Sequence, residues 1–394
     1  MTNSIETGKI GEVLFEIERW VSGHSIVVVR VIWDHLVSVR FRVPRQIYSQ
    51  MRNTSLTPAI TGYCMKKVVT IGGGTGSFML LSGLKQYPLE LSAIVSMTDD
   101  GGSTGVLRDE LGVLPPGDIR QCLVALSDSP EILRKLINYR FEEGGLAGHS
   151  FGNLFLSALE KVTGNFSQAV QEASHILNVK GKVIPVTISD TNLFLELKNR
   201  KLLRGENEIN QNMKIEHIGI QQIFLDPEPE VNPLAIVCLL EADLIIIGPG
   251  NHYCSVIPNL LVPGIPEAIC ASRATVVYNG NLVSKRWHTD DFALEDYVEA
   301  IDGLLGGSRI DYATYNIKLP DKDLLAKYAH EAVLTRRRAE SRIVGNRCVI
   351  IEGDFLDVHP VEYSQADKIA TTRTFIRHDT QKLAKTLIDL LGNF

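Results

Sequence analysis

The chain has 394 residues, 44% apolar and 22% charged, with a formal net charge of −6. That length exceeds what one hydrophobic core usually serves and predicts one large α/β domain with additions, or two domains. The acidic balance with dispersed Lys and Arg argues against a nucleic-acid surface, six scattered cysteines without a C-x-x-C pair argue against a zinc knuckle or a disulfide framework, and no apolar run reaches a membrane span.

A reducing cytoplasm fits these features, and neither a signal peptide nor an anchor is read. Residues 1–64 hold two apolar passages, Val13 to Val21 and Ile26 to Val43, the second ending in the alternation Val37, Val39, Phe41, Val43 of a half-buried strand. This segment is mildly basic, with seven Lys or Arg against five Asp or Glu. Met65 then opens the first strand of a nucleotide-type domain. It is a candidate biological start, which makes residues 1–64 an extension of open status, either an accessory or an upstream over-read.

From Met65 onward strands and helices alternate, the pattern of a Rossmann-like, doubly wound, mostly parallel sheet with helices on both faces. Strands are expected at Val68 to Ile71, Leu91 to Met97, Val183 to Thr187, Leu244 to Ile247, Thr275 to Tyr278 and Cys348 to Ile351. Helices are expected at Phe78 to Gln86, Ile119 to Ser127, Ile132 to Tyr139, Leu154 to Val162, Phe166 to Leu177, Ile257 to Ala271 and Gln381 to Leu391. Leu244-Ile245-Ile246-Ile247 reads as a strand buried on both faces.

The polar, glycine-rich stretches fall just after the strands, where the carboxyl edge of a parallel sheet gathers its ligands. The first is Gly72, Gly73, Gly74, Thr75, Gly76, Ser77. Four of its residues lack a Cβ, so the backbone can turn sharply and set its N–H groups and the positive end of the next helix against a phosphate. Ser77 holds the third glycine position of G-x-G-x-x-G, and the acid expected about 20 residues on comes late, which disfavours NAD. The second stretch carries the adjacent acids Asp99 and Asp100, with Ser103 close behind. Two glycines let these carboxylates converge to hold a hydrated Mg²⁺, to recognise a hydroxyl or ring nitrogen, or to act as a general base; otherwise they are solvated capping acids. The third is Gly248, Pro249, Gly250, Asn251.

Between them stand further candidates, each with a second meaning. Arg108 and Arg120 suit a bidentate phosphate contact, or pair with Asp109 or Glu110. Asp118, after two prolines, is a ligand contact or the N-cap of the helix from Ile119; Ser150 or Asn153 caps the helix after Gly148-His149-Ser150. His149, flanked by glycine, is a candidate ligand contact or proton carrier.

The tracts VVTIGGGTGS, MTDDGGSTGVLRDELGVLPPGDIRQCLVAL, GHSFGNLFLSAL, GENEI (205–209), ADLIIIGPG followed by SVIPNLLVPGI, and FIRHDTQKLA keep one order from Met65 to the C-terminus. Together they resemble the gluconeogenesis factor (YvcK-like) branch of the CofD superfamily. The resemblance implies a cytoplasmic protein with a Rossmann-like fold over residues 65–394. It implies a UDP-sugar ligand such as UDP-N-acetylglucosamine, and a regulatory role tying carbon supply on non-sugar carbon to wall-precursor synthesis and cell shape. A cell-wall synthesis enzyme as partner and a homo-oligomer go with that role. No catalysis is firmly attached to this branch. The sister branch, 2-phospho-lactate transferase, moves a phospholactyl or related group onto a deazaflavin with Mg²⁺, using the acidic loop that is here Asp99 and Asp100.

Carried over, the Gly72 and Gly248 loops hold the nucleotide and the acidic loop faces the sugar or the transferable group. Arg377 matches a position implicated in UDP-sugar binding, and Tyr328 is a second candidate. The chain departs from the family pattern in three places. Asn251 and Cys254 replace a serine and a threonine hydroxyl, Trp287-His288-Thr289 replaces a G-E-T tract, and Gln121 replaces an asparagine. Three readings follow, a nucleotide-sugar-binding regulator without turnover, a CofD-type phospholactyl or phosphoenolpyruvyl transferase, and a structural partner protein with a vestigial site.

Overall fold

The computed structural model describes residues 65–329, 332–338, 343–344, 347–357 and 376–392, and of residues 1–64 the backbone of four strands. The chain divides into two units, Met1–Cys64 and Met65–Phe394. In the first, β1 (Ser4–Ile10), β2 (Val13–Trp20), β3 (Ile26–Trp33) and β4 (Val37–Pro44) form an antiparallel sheet in chain order. The alternating stretch from Val37 to Val43 lies in β4.

The second unit is built on β5 (Lys66–Gly72), β6 (Leu89–Val95), β7 (Lys182–Pro185), β8 (Asn192–Leu197), β9 (Leu202–Arg204), β10 (Ile220–Asp226), β11 (Leu244–Ile247), β12 (Thr275–Asn279), β13 (Val283–Lys285), β14 (Tyr312–Asn316), β15 (Ala332–Leu334), β16 (Ile343–Val344) and β17 (Cys348–Gly353). Seven of these pair in parallel in the order β7-β6-β5-β11-β12-β14-β17, and β16 joins the β17 edge antiparallel. Counted along the chain, the first six lie in the 3-2-1-4-5-6 order of a dinucleotide-type α/β sheet. Helices cover the sheet, so the central strands are buried beyond their first residues, and all four residues of β11 are fully buried.

The order puts the switch point between β5 and β11, where the connections leave in opposite directions. Each of these strands ends in a glycine-rich loop, so the two loops are neighbours by topology. A small antiparallel sheet, β10-β8-β9, and the pair β13-β15 add to this edge.

The expected helix from Ile257 to Ala271 is two helices, Ile257–Leu260 and Ile265–Ala271, entered through a π-type turn at His252–Val256. The axis bends by 72° between them, because Pro263 and Pro266 flank Gly264 at φ +99°. Asp118 is not an N-cap: the helix starts at Gly117 with Pro116 before it, and Asp118 lies in its first turn. Ser150 is the N-cap of the helix Phe151–Thr163, accepting from the Asn153 N–H. Among the described residues no single helix is long and apolar enough to cross a membrane.

Candidate functional site

The crevice at the switch point is closed by backbone against backbone. A Cβ on Gly76 would collide with the Pro249 carbonyl, so only glycine lets the turn after β5 approach the turn after β11 this closely. Gly74 has φ +64° and Gly248 φ +78°, both in the region that favours glycine. The helix Gly74–Leu84 begins with Gly73 at its N-cap, without a side-chain cap and without an acid in its first turn. The leading N–H groups of such a helix have no partner within it, the arrangement that suits an anion. Ser77 is buried, with its hydroxyl against Gly72.

The opposing wall is acidic. Asp99 and Asp100 part: Asp99 Oδ1 accepts from Gly101 N–H at 3.0 Å, whereas Asp100 Oδ1 accepts from Asn207 N–H at 2.8 Å, at the start of the helix Gly205–Gln211. Asp118 lies where a Cβ on Gly73 would stand, so its carboxylate sits at the glycine turn itself. Glu206, buried behind them, accepts from Thr98 Oγ1 at 2.8 Å. Burial holds the Glu206 carboxyl well above its usual range, and the charges of Asp99 and Asp118 push the same way against the Thr98 hydrogen bond. Burial also raises Asp100, opposed by the Asn207 N–H and reinforced by Asp99.

Sequence reasoning assigns no role to Glu206 within the GENEI tract. What could have singled it out is an acid placed directly after a glycine at a strand-to-helix junction. No group of three or more His, Cys, Asp or Glu side chains among the described residues is arranged to hold a metal ion. The carboxylates suit at most a Mg²⁺ that keeps its waters and takes other ligands from a phosphate.

A directional chain of hydrogen bonds ties the remaining candidates together. Arg120 Nε donates to Asn153 Oδ1 at 2.9 Å, which turns the amide so that Nδ2 donates to Ser103 Oγ at 3.2 Å. Ser103 is then free to direct its proton at His149 Nδ1, 3.0 Å away. Arg120 also donates to Asn138 Oδ1 at 2.6 Å. Asn153→Leu, which keeps the volume but leaves Arg120 Nε and Ser103 short of a partner, is expected to lower stability by about 1–3 kcal/mol in denaturant unfolding. Arg108 reaches neither Asp109 nor Glu110. It pairs with Asp190 at 2.9 Å and donates to the Thr191 carbonyl at 3.1 Å, pinning the loop before β8.

The Gly248 loop is held from below. Gly250 N–H donates to Asn281 Oδ1 at 3.2 Å, and Asn281 Nδ2 returns a bond to the Gly250 carbonyl at 2.8 Å. Asn251 caps the following turn through Oδ1 and donates Nδ2 to Asn210 Oδ1 at 2.9 Å. Lys285 Nζ and the Cys254 thiol donate to that same oxygen, at 2.6 and 3.6 Å. The amide that replaces the family's serine is therefore engaged inside the protein, and Asn210, Asn281 and Lys285 are supporting residues that sequence reasoning missed.

In the Trp287-His288-Thr289 tract, His288 Nε2 meets the Asn212 carbonyl at 3.1 Å. Arg377 is half-buried, beside His378, whose Nε2 lies 3.2 Å from the Gly280 carbonyl just past β12. That places the turn one strand away from the Gly248 loop. Tyr328 ends the helix Lys322–Tyr328, and its side chain lies outside the described residues.

A family model described as 2-phospho-L-lactate transferase CofD matches residues 68–356. The gluconeogenesis factor of Bacillus subtilis (strain 168) is 39% identical over 329 residues, 82% of this chain and 98% of that protein. That of Listeria innocua serovar 6a is 36% identical over 329 residues, covering 83% and 96%. A crystal structure of a UPF0052 family protein from Bacillus halodurans superposes with a TM-score of 0.74 at 36% identity, covering 83% of this chain and 100% of that one.

Proposed function

Since the chain belongs to the CofD family, among the gluconeogenesis factors, we propose that residues 65–394 bind a UDP-sugar of the UDP-N-acetylglucosamine kind and act as a regulator without turnover. The regulator would match wall-precursor supply and cell shape to carbon flux during growth on non-sugar carbon, in the cytoplasm, as a homo-oligomer with a wall-synthesis enzyme as partner. The observation that carries this reading is the backbone contact of the two glycine loops at the switch point. A pyrophosphate needs several N–H donors at close range; the first turn of the helix after Gly73 is the source we assign, while the Gly248 loop, whose Gly250 N–H is taken by Asn281, forms the facing wall. The acidic wall of Asp99, Asp100 and Asp118 repels a further phosphate but accepts hydrogen bonds from hydroxyls, so the sugar belongs on that side.

Calorimetric titration of the full chain with UDP-N-acetylglucosamine, with assay of the recovered ligand, tests this reading. Saturable binding with the ligand intact is expected, weakened about tenfold or more by Arg377→Ala through loss of a charge-assisted contact. Absence of binding, or consumption of the ligand, would overturn it.

One observation favours a second reading: Ser103 and His149, joined at 3.0 Å, stand behind the acidic loop. A Mg²⁺-dependent attack of a deazaflavin hydroxyl on the phosphorus of a phospholactyl or phosphoenolpyruvyl group carried by guanylate would use that loop, with Asp99 or Asp100 taking the hydroxyl proton and guanylate leaving as its P–O bond breaks. It predicts product formation with a deazaflavin acceptor and its loss in Asp99→Asn.

A further inference from the structure

Apart from the crevice, a groove of about 560 Å³ runs between the helices Gly74–Leu84, Gly117–Leu126 and Glu131–Asn138. Lys85, Arg134, Lys135 and Arg140 line it against only Glu131 and Glu142, in a chain that is acidic overall. Lys135 takes up Glu131 at 2.7 Å. Arg140 donates to the Gly148 carbonyl at 2.6 Å. Arg134 is half-buried and makes no ion pair among the described residues. Lys85 donates to the Ser127 carbonyl at 2.8 Å, and burial followed by repulsion from Arg134 lowers its pKa against the attraction of Asp128.

Crowded, partly desolvated cations with too few carboxylates are costly until a multiply charged anion enters, and a guanidinium fork suits a phosphoryl group. The groove also has aromatic walls. Phe78 lies on one side, and Tyr139, half exposed, stands edge-on to Phe141 with ring centres 5.2 Å apart. The volume lies in the range of small-molecule sites.

We infer that this groove is a second ligand site, for a small phosphorylated metabolite that bears at least two negative charges and an aromatic or apolar body. The site stands independently of the nucleotide-sugar reading, and its position suits an effector. The helix Gly74–Leu84 carries the glycine turn at one end and Phe78, Ser82 and Lys85 along the groove. The helix Gly117–Leu126 carries Asp118 at one end and Val124 and Ala125 in the groove. Asn138, on the third wall, accepts from Arg120 of the crevice network. An occupant thus touches three rigid elements that end at the crevice.

The test is calorimetric titration of the full chain with phenyl phosphate, in wild type, Arg134→Gln and Arg134→Lys, with thermal unfolding of each. Saturable binding to wild type is expected, weakened about tenfold or more in Arg134→Gln and largely kept in Arg134→Lys, at unchanged melting temperature. The affinity should fall with added salt, as it must for a site open to solvent. No binding to wild type overturns the inference, and so does binding that Arg134→Gln leaves intact, since the probe then sits at the glycine loops. Whether UDP-N-acetylglucosamine binds does not enter either outcome.

Discussion

Gly76→Ala is expected to abolish ligand binding in the crevice while lowering stability by about 1–3 kcal/mol, the usual range for overpacking. The added methyl meets the carbonyl of Pro249, which is backbone and cannot rotate away as a side chain would. The helix Gly74–Leu84 and the Gly248 loop must therefore separate, and the crevice between them loses its shape. Gly83→Ala is the matched control. There the methyl meets the Thr380 carbonyl, again backbone, but at the opposite end of the same helix. A comparable stability loss with binding retained is expected for Gly83→Ala. Calorimetry and denaturant unfolding on both variants separate the effects, and Gly76→Ala that still binds normally would mean the loops do not act together.

Glu206→Gln is expected to raise the melting temperature, and to raise it more the higher the pH. The wild-type carboxyl has a folded-state pKa above its unfolded value of 4.5, owing to burial and to the charges of Asp99 and Asp118. Between the two values the folded state holds a proton that the unfolded chain has released, so stability declines as pH rises through that window. The contribution is complete below the unfolded pKa and lost above the folded one. Glutamine keeps an acceptor for the Thr98 hydroxyl and never ionises. The difference between variant and wild type should vanish near pH 4 and grow towards pH 8. Glu216, raised to about 7 by burial and by its bond with the Asp290 carboxyl, titrates alike in both proteins and cancels from the comparison. Equal melting temperatures at pH 8 would show that the Glu206 carboxylate is not desolvated.

How much of this was legible beforehand depends on how local each signal is. Leu244–Ile247 could be read as a central strand because burial on both faces demands an unbroken apolar run. β14 could not, since Tyr312–Asn316 offers a single aliphatic residue, Ala313, and takes its conformation from β12 and β17 beside it. The helix Gly102–Leu111 was hidden by its Gly-Ser-Thr-Gly first turn, which reads as a loop. Pro233–Glu241 is apolar almost throughout and so lacks the periodicity that separates helix from strand.

The site shows the same division. A glycine turn announces itself because the missing side chains are the device. Glu206, Asn210 and Lys285 do not, because each is an ordinary polar residue that distant elements carry to the crevice. Asp118 was ambiguous for a related reason: proline before a helix suggests a cap, and only the packing of that helix against the glycine turn shows the carboxylate facing Gly73.

The contact between Gly83 and Thr380 also bears on when the protein can work. β5, the earliest strand of the parallel sheet, ends at its centre, and the helix it feeds is covered by Thr380–Asp389, with Leu383, Ala384 and Leu387 fully buried. On the ribosome the glycine turn therefore emerges long before β11 can flank it and longer still before its own helix is covered. Such distant pairings close late in folding. A half-made chain has half a crevice, so a ligand that needs both loops would mark finished molecules and not nascent ones.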